Sequence, residues 1–243
     1  MRLALIGDPV EHSRSPSIHE HFLREAGIDG SYAAIRVRIG EAASAIAQLS
    51  AQGFAGCNVT SPLKEEAFAA CEVVTTHARE ADAVNTIAFA DRITGTNTDG
   101  IGAAVALGEL MGPLRNRRIA VLGTGPTARA VVAQLVTEGA LPLLWGRSTA
   151  KVDALCARFG IAPWEEKPVD AAFVALPPEA MLVQDMQRAL WRVGVVMDAN
   201  YGERSTLATQ IGRPVADGSR MLEAQAKASF EFWSLQPMKP APG

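Results

Sequence analysis

At 243 residues the chain can form one large domain or two modest ones, with a sizeable buried core in either case. A composition of 48% hydrophobic and 20% charged residues is that of a globular protein, and a formal net charge of -3 without any basic block argues against nucleic acid or an acidic membrane surface as partner. No apolar run approaches the roughly 18 residues of a membrane span. The N-terminus opens directly on strand-like residues, and the three cysteines lack metal-ligand spacing; a cytoplasmic protein with buried thiols is expected.

The apolar run Leu3 to Ile6 predicts a strand closed by the turn Gly7-Asp8-Pro9. Ser15-Pro16 places a capping hydroxyl before a helix-starting proline, and the helix is expected to bury Ile18, Phe22, Leu23 and Ala26 before stopping at Gly27. A strand over 31–39 and a helix over 41–52 follow. Helices are predicted over 64–72 and 76–83, a strand over 85–90 and an alanine-rich helix over 101–111. Residues 96–100 mark a change of domain. A more regular series then begins: strand 118–122, helix 128–138, strand 141–145, helix 149–159, strand 171–176, helix 178–191 and strand 195–199. A long helix over 221–233 and a proline-rich tail end the chain. Strands alternating with helices predict an α/β fold with mainly parallel pairing.

The stretch Cys57-Asn58-Val59-Thr60-Ser61-Pro62-Leu63-Lys64-Glu65 breaks local rules in two places. Asn58 and Thr60 are polar where a strand enters a core, and Lys64 puts a cation at a helix N-terminus, where the dipole disfavours it. Such conflicts mark candidate functional sites. A second signal is the strand followed by Gly123-x-Gly125-x-x-Ala128 and a helix, the context of a dinucleotide fingerprint. Pro126 inside it removes one N–H donor. About 20 residues on, an NAD site would carry an acid for the ribose 2′-hydroxyl. Here Trp145-Gly146-Arg147-Ser148-Thr149 has none, while Arg147 and Lys151 bring two cations and Ser148 or Thr149 a hydroxyl, a set suited to a 2′-phosphate. The missing acid also argues against a sulfonium-cofactor methyltransferase.

Three further polar clusters lie at element ends: Ser13-Arg14-Ser15-Pro16, Ala83-Val84-Asn85-Thr86 and Asn97-Thr98-Asp99-Gly100. Each alone is explained as a cap or a turn. Together they offer hydroxyl, amide, ammonium and carboxylate groups to a small polyhydroxylated molecule. The four histidines do not form a metal site, since His19 and His21 point different ways on one helix. With no serine-hydrolase elbow and no phosphate-binding lysine loop, Lys64 and Asp99 remain as the proton-transfer pair.

These segments, with Gly7-Asp8-Pro9-Val10, Met221-Leu222 and Gln225, resemble the shikimate dehydrogenase family in family order over nearly the whole chain. The resemblance implies a two-domain α/β protein. Residues 1–98, completed by a C-terminal helix over 219–243, would be the substrate-binding catalytic domain, and 99–218 a Rossmann domain for NADP. The reaction implied is the reversible NADPH-dependent reduction of 3-dehydroshikimate to shikimate, with Lys64 and Asp99 as catalytic pair. By matching position, Ser13 and Ser15 would hold the substrate carboxylate with Tyr201 nearby. Asn58, Thr60, Asn85 and Gln225 would bind ring substituents. Gly123, Thr124, Gly125, Pro126, Thr127, Ala128, Arg147, Ser148 and Lys151 would hold the cofactor, with Gly218 and Met221 near the nicotinamide. The partner implied is a shikimate-like ring acid, and the assembly a monomer or homodimer. Pro126-Thr127, Gly146, Pro177-Pro178 and Ser219-Arg220 depart from the family pattern, all on the cofactor side. The alternatives are a relative acting on quinate or aminoshikimate, a non-catalytic NADP-binding sensor and, more distantly, a methylene-folate dehydrogenase.

Overall fold

The computed structural model describes residues 1–235, and the end of the proline-rich tail and of the predicted 219–243 helix lies outside them. The chain forms two compact units: Met1–Asp99 together with the chain from Gln225 onward, and Gly100–Ala224.

The first unit is built on strands β1 (Arg2–Gly7), β2 (Ser31–Arg36), β3 (Gly56–Val59), β4 (Val73–Val74), β5 (Thr86–Phe89) and β6 (Ile93–Thr96), in the order β2-β1-β3-β5-β6-β4. Helices α1 (Ser15–Glu25), α2 (Ala42–Ala51), α3 (Lys64–Ala70) and α4 (Thr76–Ala81) connect them. The expected parallel pairing holds for β1 with β2 and β3, but β5 runs antiparallel to both β3 and β6. The short β4 and β6 escape a reading of the sequence because neither is long enough to show a period. Leu3 to Ile6 are all buried, alternating between two faces: Ala4 and Ile6 pack with α2 and α3 residues, and Leu3 and Leu5 with Tyr32 and Trp233.

Two local expectations for α1 are corrected. Arg14, not Ser15, is the N-cap, and Ser15 is the first helical residue with no side-chain cap bond. The buried face is Ser15, His19 and Leu23, spaced i, i+4, i+8, while Ala26 is exposed and Ile18 and Phe22 are half-buried.

The second unit contains α5 (Asp99–Met111, from Gly100 on), β7 (Arg118–Leu122), α6 (Pro126–Thr137), β8 (Leu141–Trp145), α7 (Thr149–Phe159), β9 (Ala162–Pro163), β10 (Ala171–Val174), α8 (Gln184–Trp191), β11 (Val195–Asp198) and α9 (Leu207–Ile211). Its sheet is wholly parallel, in the order β11-β10-β7-β8-β9. Helix α8 begins at Gln184, not at 178, because the preceding segment bonds elsewhere: Thr206 donates to the Pro178 carbonyl, and Gln210 joins the Ala180 carbonyl and the Leu182 N–H. The last helix, α10 (Ser219–Ser234), contributes residues to both units.

Both sheets reverse strand order beside their first strand. The switch lies between β1 and β3 in one unit and between β7 and β10 in the other, and ligands of open α/β sheets bind beyond the strand ends at such points.

Candidate active site

At the first switch point β3 leads through a turn, in which the Leu63 N–H donates to the Thr60 carbonyl, into α3. Lys64 is the first residue of that helix and is buried, with Glu65 and Glu66 beside it as the acids its dipole favours. Its ammonium lies 2.5 Å from Asp99 Oδ2. Asp99, 5% exposed, is the first residue of α5, where an anion is favoured. Its Oδ1 accepts from Asn85 Nδ2 at 2.8 Å, and its own N–H donates to Asn97 Oδ1 at 3.0 Å. The rule-breaking cation of α3 thus meets an anion fixed by a second helix start and a buried amide.

Asn85 and Asn58 are both buried, and backbone groups decide which way each amide faces. Asn85 Oδ1 accepts from the Thr98 N–H at 2.9 Å, and Asn58 Nδ2 donates to the Asn85 carbonyl at 3.1 Å. Asn58 Oδ1 then accepts from the Tyr32 hydroxyl at 2.7 Å. Asn58 Nδ2 also meets Thr86 Oγ1 and Ser229 Oγ, so this residue lies within the floor of the site. Gln225 Oε1 lies 3.1 Å from Thr98 Oγ1 and 3.3 Å from Asn85 Nδ2.

Ser13 stands on the loop after β1 and Ser15 opens α1, and Ser13 Oγ accepts from the Ser15 N–H at 3.2 Å. The Thr60 methyl packs so close to Gly7 that a Cβ there would come within 2.3 Å, which turns the Thr60 hydroxyl the other way. Lys64, Asp99, Asn58, Asn85 and Gln225 are therefore joined directly in one unit. Ser13 and Thr60 stand on the loops at the adjoining strand ends, and Ser15 at the start of α1. Tyr201 belongs to the other unit, half-buried before the turn Gly202–Arg204.

In the second unit, Gly123 has φ +129, and a Cβ there would lie 2.6 Å from the Ala175 carbonyl oxygen, so the close passage of the loop across the switch point requires glycine. Gly125 caps α6 and faces open space. Pro126 takes the first helical position, where the absent N–H is one the helix leaves unpaired, so its departure from the family pattern is compatible with the fingerprint. Thr127 and Ala128 follow in the first turn. Thr124 fills the space beside Gly146, where a Cβ would come within 2.7 Å of its methyl.

Arg147 and Lys151 are exposed at the start of α7, and Ser148 is its N-cap, accepting from the Lys151 N–H at 3.4 Å. Gly218 is buried against the Ala199 carbonyl, and Met221 is buried in the core. Arg220 makes a two-pronged pair with Glu109, both contacts 2.7 Å, and a third contact with Glu223 at 3.0 Å. Its charge is thereby matched within the unit. This loop, helix start and cation pair without an acid fit a dinucleotide carrying a 2′-phosphate. Among the described residues no group of three or more His, Cys, Asp or Glu is placed to hold a metal.

The sequence pattern of the shikimate dehydrogenase substrate binding domain matches residues 5–87. A shikimate dehydrogenase (NADP(+)) of Acidiphilium cryptum is 42% identical over 96% of this chain and 90% of its own length. The chain belongs to the shikimate dehydrogenase family. The crystal structure of shikimate dehydrogenase from Aquifex aeolicus superposes with a TM-score of 0.84 at 30% identity, covering 99% of this chain and 94% of that one. The shikimate 5-dehydrogenase of Thermus thermophilus, solved in complex with NADP(H) and shikimate, gives 0.83 at 30% identity, covering 98% and 95%.

Thr86, Thr98 and Ser229 belong to the polar floor but are not singled out as site residues by the sequence. The first two stand in the recognised clusters. Ser229 offers one signal: it lies four residues after Gln225 and four before Trp233, a hydroxyl on the apolar stripe of α10.

Proposed function

We propose that this protein catalyses the reversible NADPH-dependent reduction of 3-dehydroshikimate to shikimate. In this reading Met1–Asp99 with the C-terminal part of α10 binds the ring acid, and Gly100–Ala224 binds the dinucleotide. The observation that carries it is the buried Lys64–Asp99 pair, 2.5 Å apart and held by Asn85, in a chain of this family.

Bound NADPH would supply the hydride to the carbonyl carbon. Lys64 donates a proton to the carbonyl oxygen as charge develops there, and in the reverse direction takes it from the hydroxyl. Asp99 orients the ammonium and is itself held by Asn85 Nδ2. Ser13 and Ser15 donate to the ring carboxylate. Thr60, Asn85 and Gln225 bind ring substituents, and Asn58 supports them from the floor. Arg147 and Lys151 hold the 2′-phosphate. No helix among the described residues is long and apolar enough to cross a membrane. The cysteines Cys57, Cys71 and Cys156 are all free thiols, which supports a reducing, cytoplasmic location.

The test is turnover followed at the nicotinamide absorbance with shikimate, quinate and an amino analogue, each with NADP+ and NAD+. Shikimate with NADP+ is expected to be the best pair. No turnover of that pair by the wild-type protein would overturn the proposal, and NADP+ binding without oxidation of any of the three would indicate a sensor. Lys64→Ala should lower turnover by roughly two to four orders of magnitude while leaving NADPH binding intact. Unchanged turnover in that variant would remove Lys64 from the chemistry.

A further inference from the structure

Ser229 is fully buried, and its hydroxyl lies 2.7 Å from Thr86 Oγ1, 3.1 Å from Thr98 Oγ1 and 3.2 Å from Asn58 Nδ2. A hydroxyl has one proton to give and lone pairs to accept with, so each of these groups can serve several neighbours at once. The Thr98 N–H can only donate, so Asn85 presents Oδ1 to it and Nδ2 to Asp99 and to Thr98 Oγ1, the latter at 2.9 Å. Thr86 Oγ1 lies 2.9 Å from Asn85 Oδ1. Ser229 Oγ also lies 3.0 Å from the Gln225 carbonyl, one turn back on its own helix, so its contact with Thr86 runs in either direction. Thr98 Oγ1 meets Ser229 Oγ, Gln225 Oε1 at 3.1 Å and Asn85 Oδ1 at 3.2 Å.

The result is a closed ring of hydrogen-bonding contacts: Asn85 Nδ2 with Thr98 Oγ1, Thr98 Oγ1 with Ser229 Oγ, Ser229 Oγ with Thr86 Oγ1, and Thr86 Oγ1 with Asn85 Oδ1. It starts and ends on the amide of Asn85, whose second proton goes to Asp99. Buried hydrogen-bond networks are worth more complete than broken. Three members come from the strand β5 region and the start of α5. Ser229 is the member supplied by α10, on the same face as Gln225 and Trp233.

We propose that Ser229 is a positioning residue for the ring-binding site: it closes this hydrogen-bond ring and so holds the Asn85 amide toward Asp99. The inference rests on the proposed dehydrogenase reading and adds a residue which that reading does not use.

Opening the ring should act on Asn85, not on the dinucleotide. Ser229→Ala is expected to lower kcat/KM for shikimate about tenfold, mostly through KM, with KM for NADP+ unchanged. Thr86→Val opens the same ring from its other side. If both act through one ring, the double variant should lose little more than either single variant, whereas independent packing defects would add. A kcat/KM within twofold of wild type in Ser229→Ala, or additive losses in the double variant, overturns the proposal.

A readout without turnover keeps the question open to test even if the wild type is inactive on shikimate, which would sink the functional reading instead. The side-chain amide protons of Asn85, followed by nitrogen-15 NMR, should exchange slowly in the wild type and at least about tenfold faster in Ser229→Ala. Equal exchange in the two proteins would show that Ser229 does not hold Asn85.

Discussion

His19 stands at the centre of one face of the first unit, 0% exposed and stacked on Tyr32 with ring centroids 4.6 Å apart and planes at 5°. Neither ring nitrogen has a hydrogen-bond partner among the described residues, and burial pushes its pKa down to about 3. Above about pH 6.5 the imidazole is neutral folded or unfolded and adds no pH dependence. As pH falls below that value the unfolded chain takes a proton that the folded protein refuses, until pH nears 3. Stability should therefore drop by up to about 1.4 kcal/mol per pH unit across this window. His19→Phe keeps the stack and removes the titration. In urea unfolding its loss of stability between pH 7 and pH 5 should be about 2 kcal/mol smaller than that of the wild type. Equal losses would show that His19 takes its proton without unfolding. The sequence excludes a metal role for this residue by spacing alone. It does not reveal the burial, because a histidine on an amphipathic helix is equally consistent with the solvent face.

The elements that matter most are those whose fit depends on an absent side chain. Gly56 in β3 lies against α10: a Cβ there would come within 2.4 Å of both the Ile87 carbonyl oxygen and Trp233 Nε1. Trp233 donates to that carbonyl at 2.8 Å and is 2% exposed, so this contact seats the C-terminal helix on the sheet. Gly56→Ala should cost about 3 kcal/mol, from overpacking and from a buried carbonyl losing its donor. Trp233→Phe, which loses the donor alone, should cost about half as much. Chemical denaturation would rank them, and Gly56→Ala at wild-type stability would mean that the helix is not seated here. Periodicity and glycine stops announce α2, α7 and α10 closely. They overextend α8, because its preceding segment carries helical spacing while its backbone groups bond to Thr206 and Gln210, which no local pattern shows.

At the scale of the molecule, each unit places its polar residues beyond the strand ends where strand order reverses. In the second unit this joins the Gly123 turn to cations beyond β8. Arg147→Ala should raise KM for NADP+ by roughly one to two orders of magnitude, the loss expected for a charge-assisted hydrogen bond. Turnover with NAD+ should stay the same, and steady-state titrations of both cofactors would check it. Equal effects on the two would mean that Arg147 does not recognise the 2′-phosphate.

By itself the sequence determined the α/β alternation, the cofactor fingerprint and the polar clusters, since these depend on residue type and spacing along a few turns of chain. The glycine turn at Gly123 and the misplaced cation Lys64 are visible because each violates a local preference that only function or a special backbone explains. What only the tertiary structure decided is which of those groups meet. The antiparallel return of β5 sets Asn85 between Thr98 and Asp99, and α10 brings Ser229 to them from far along the chain. Partners so distant in sequence leave no period or motif. Burial selects them, because a polar group removed from water must find its hydrogen bonds wherever the fold supplies them.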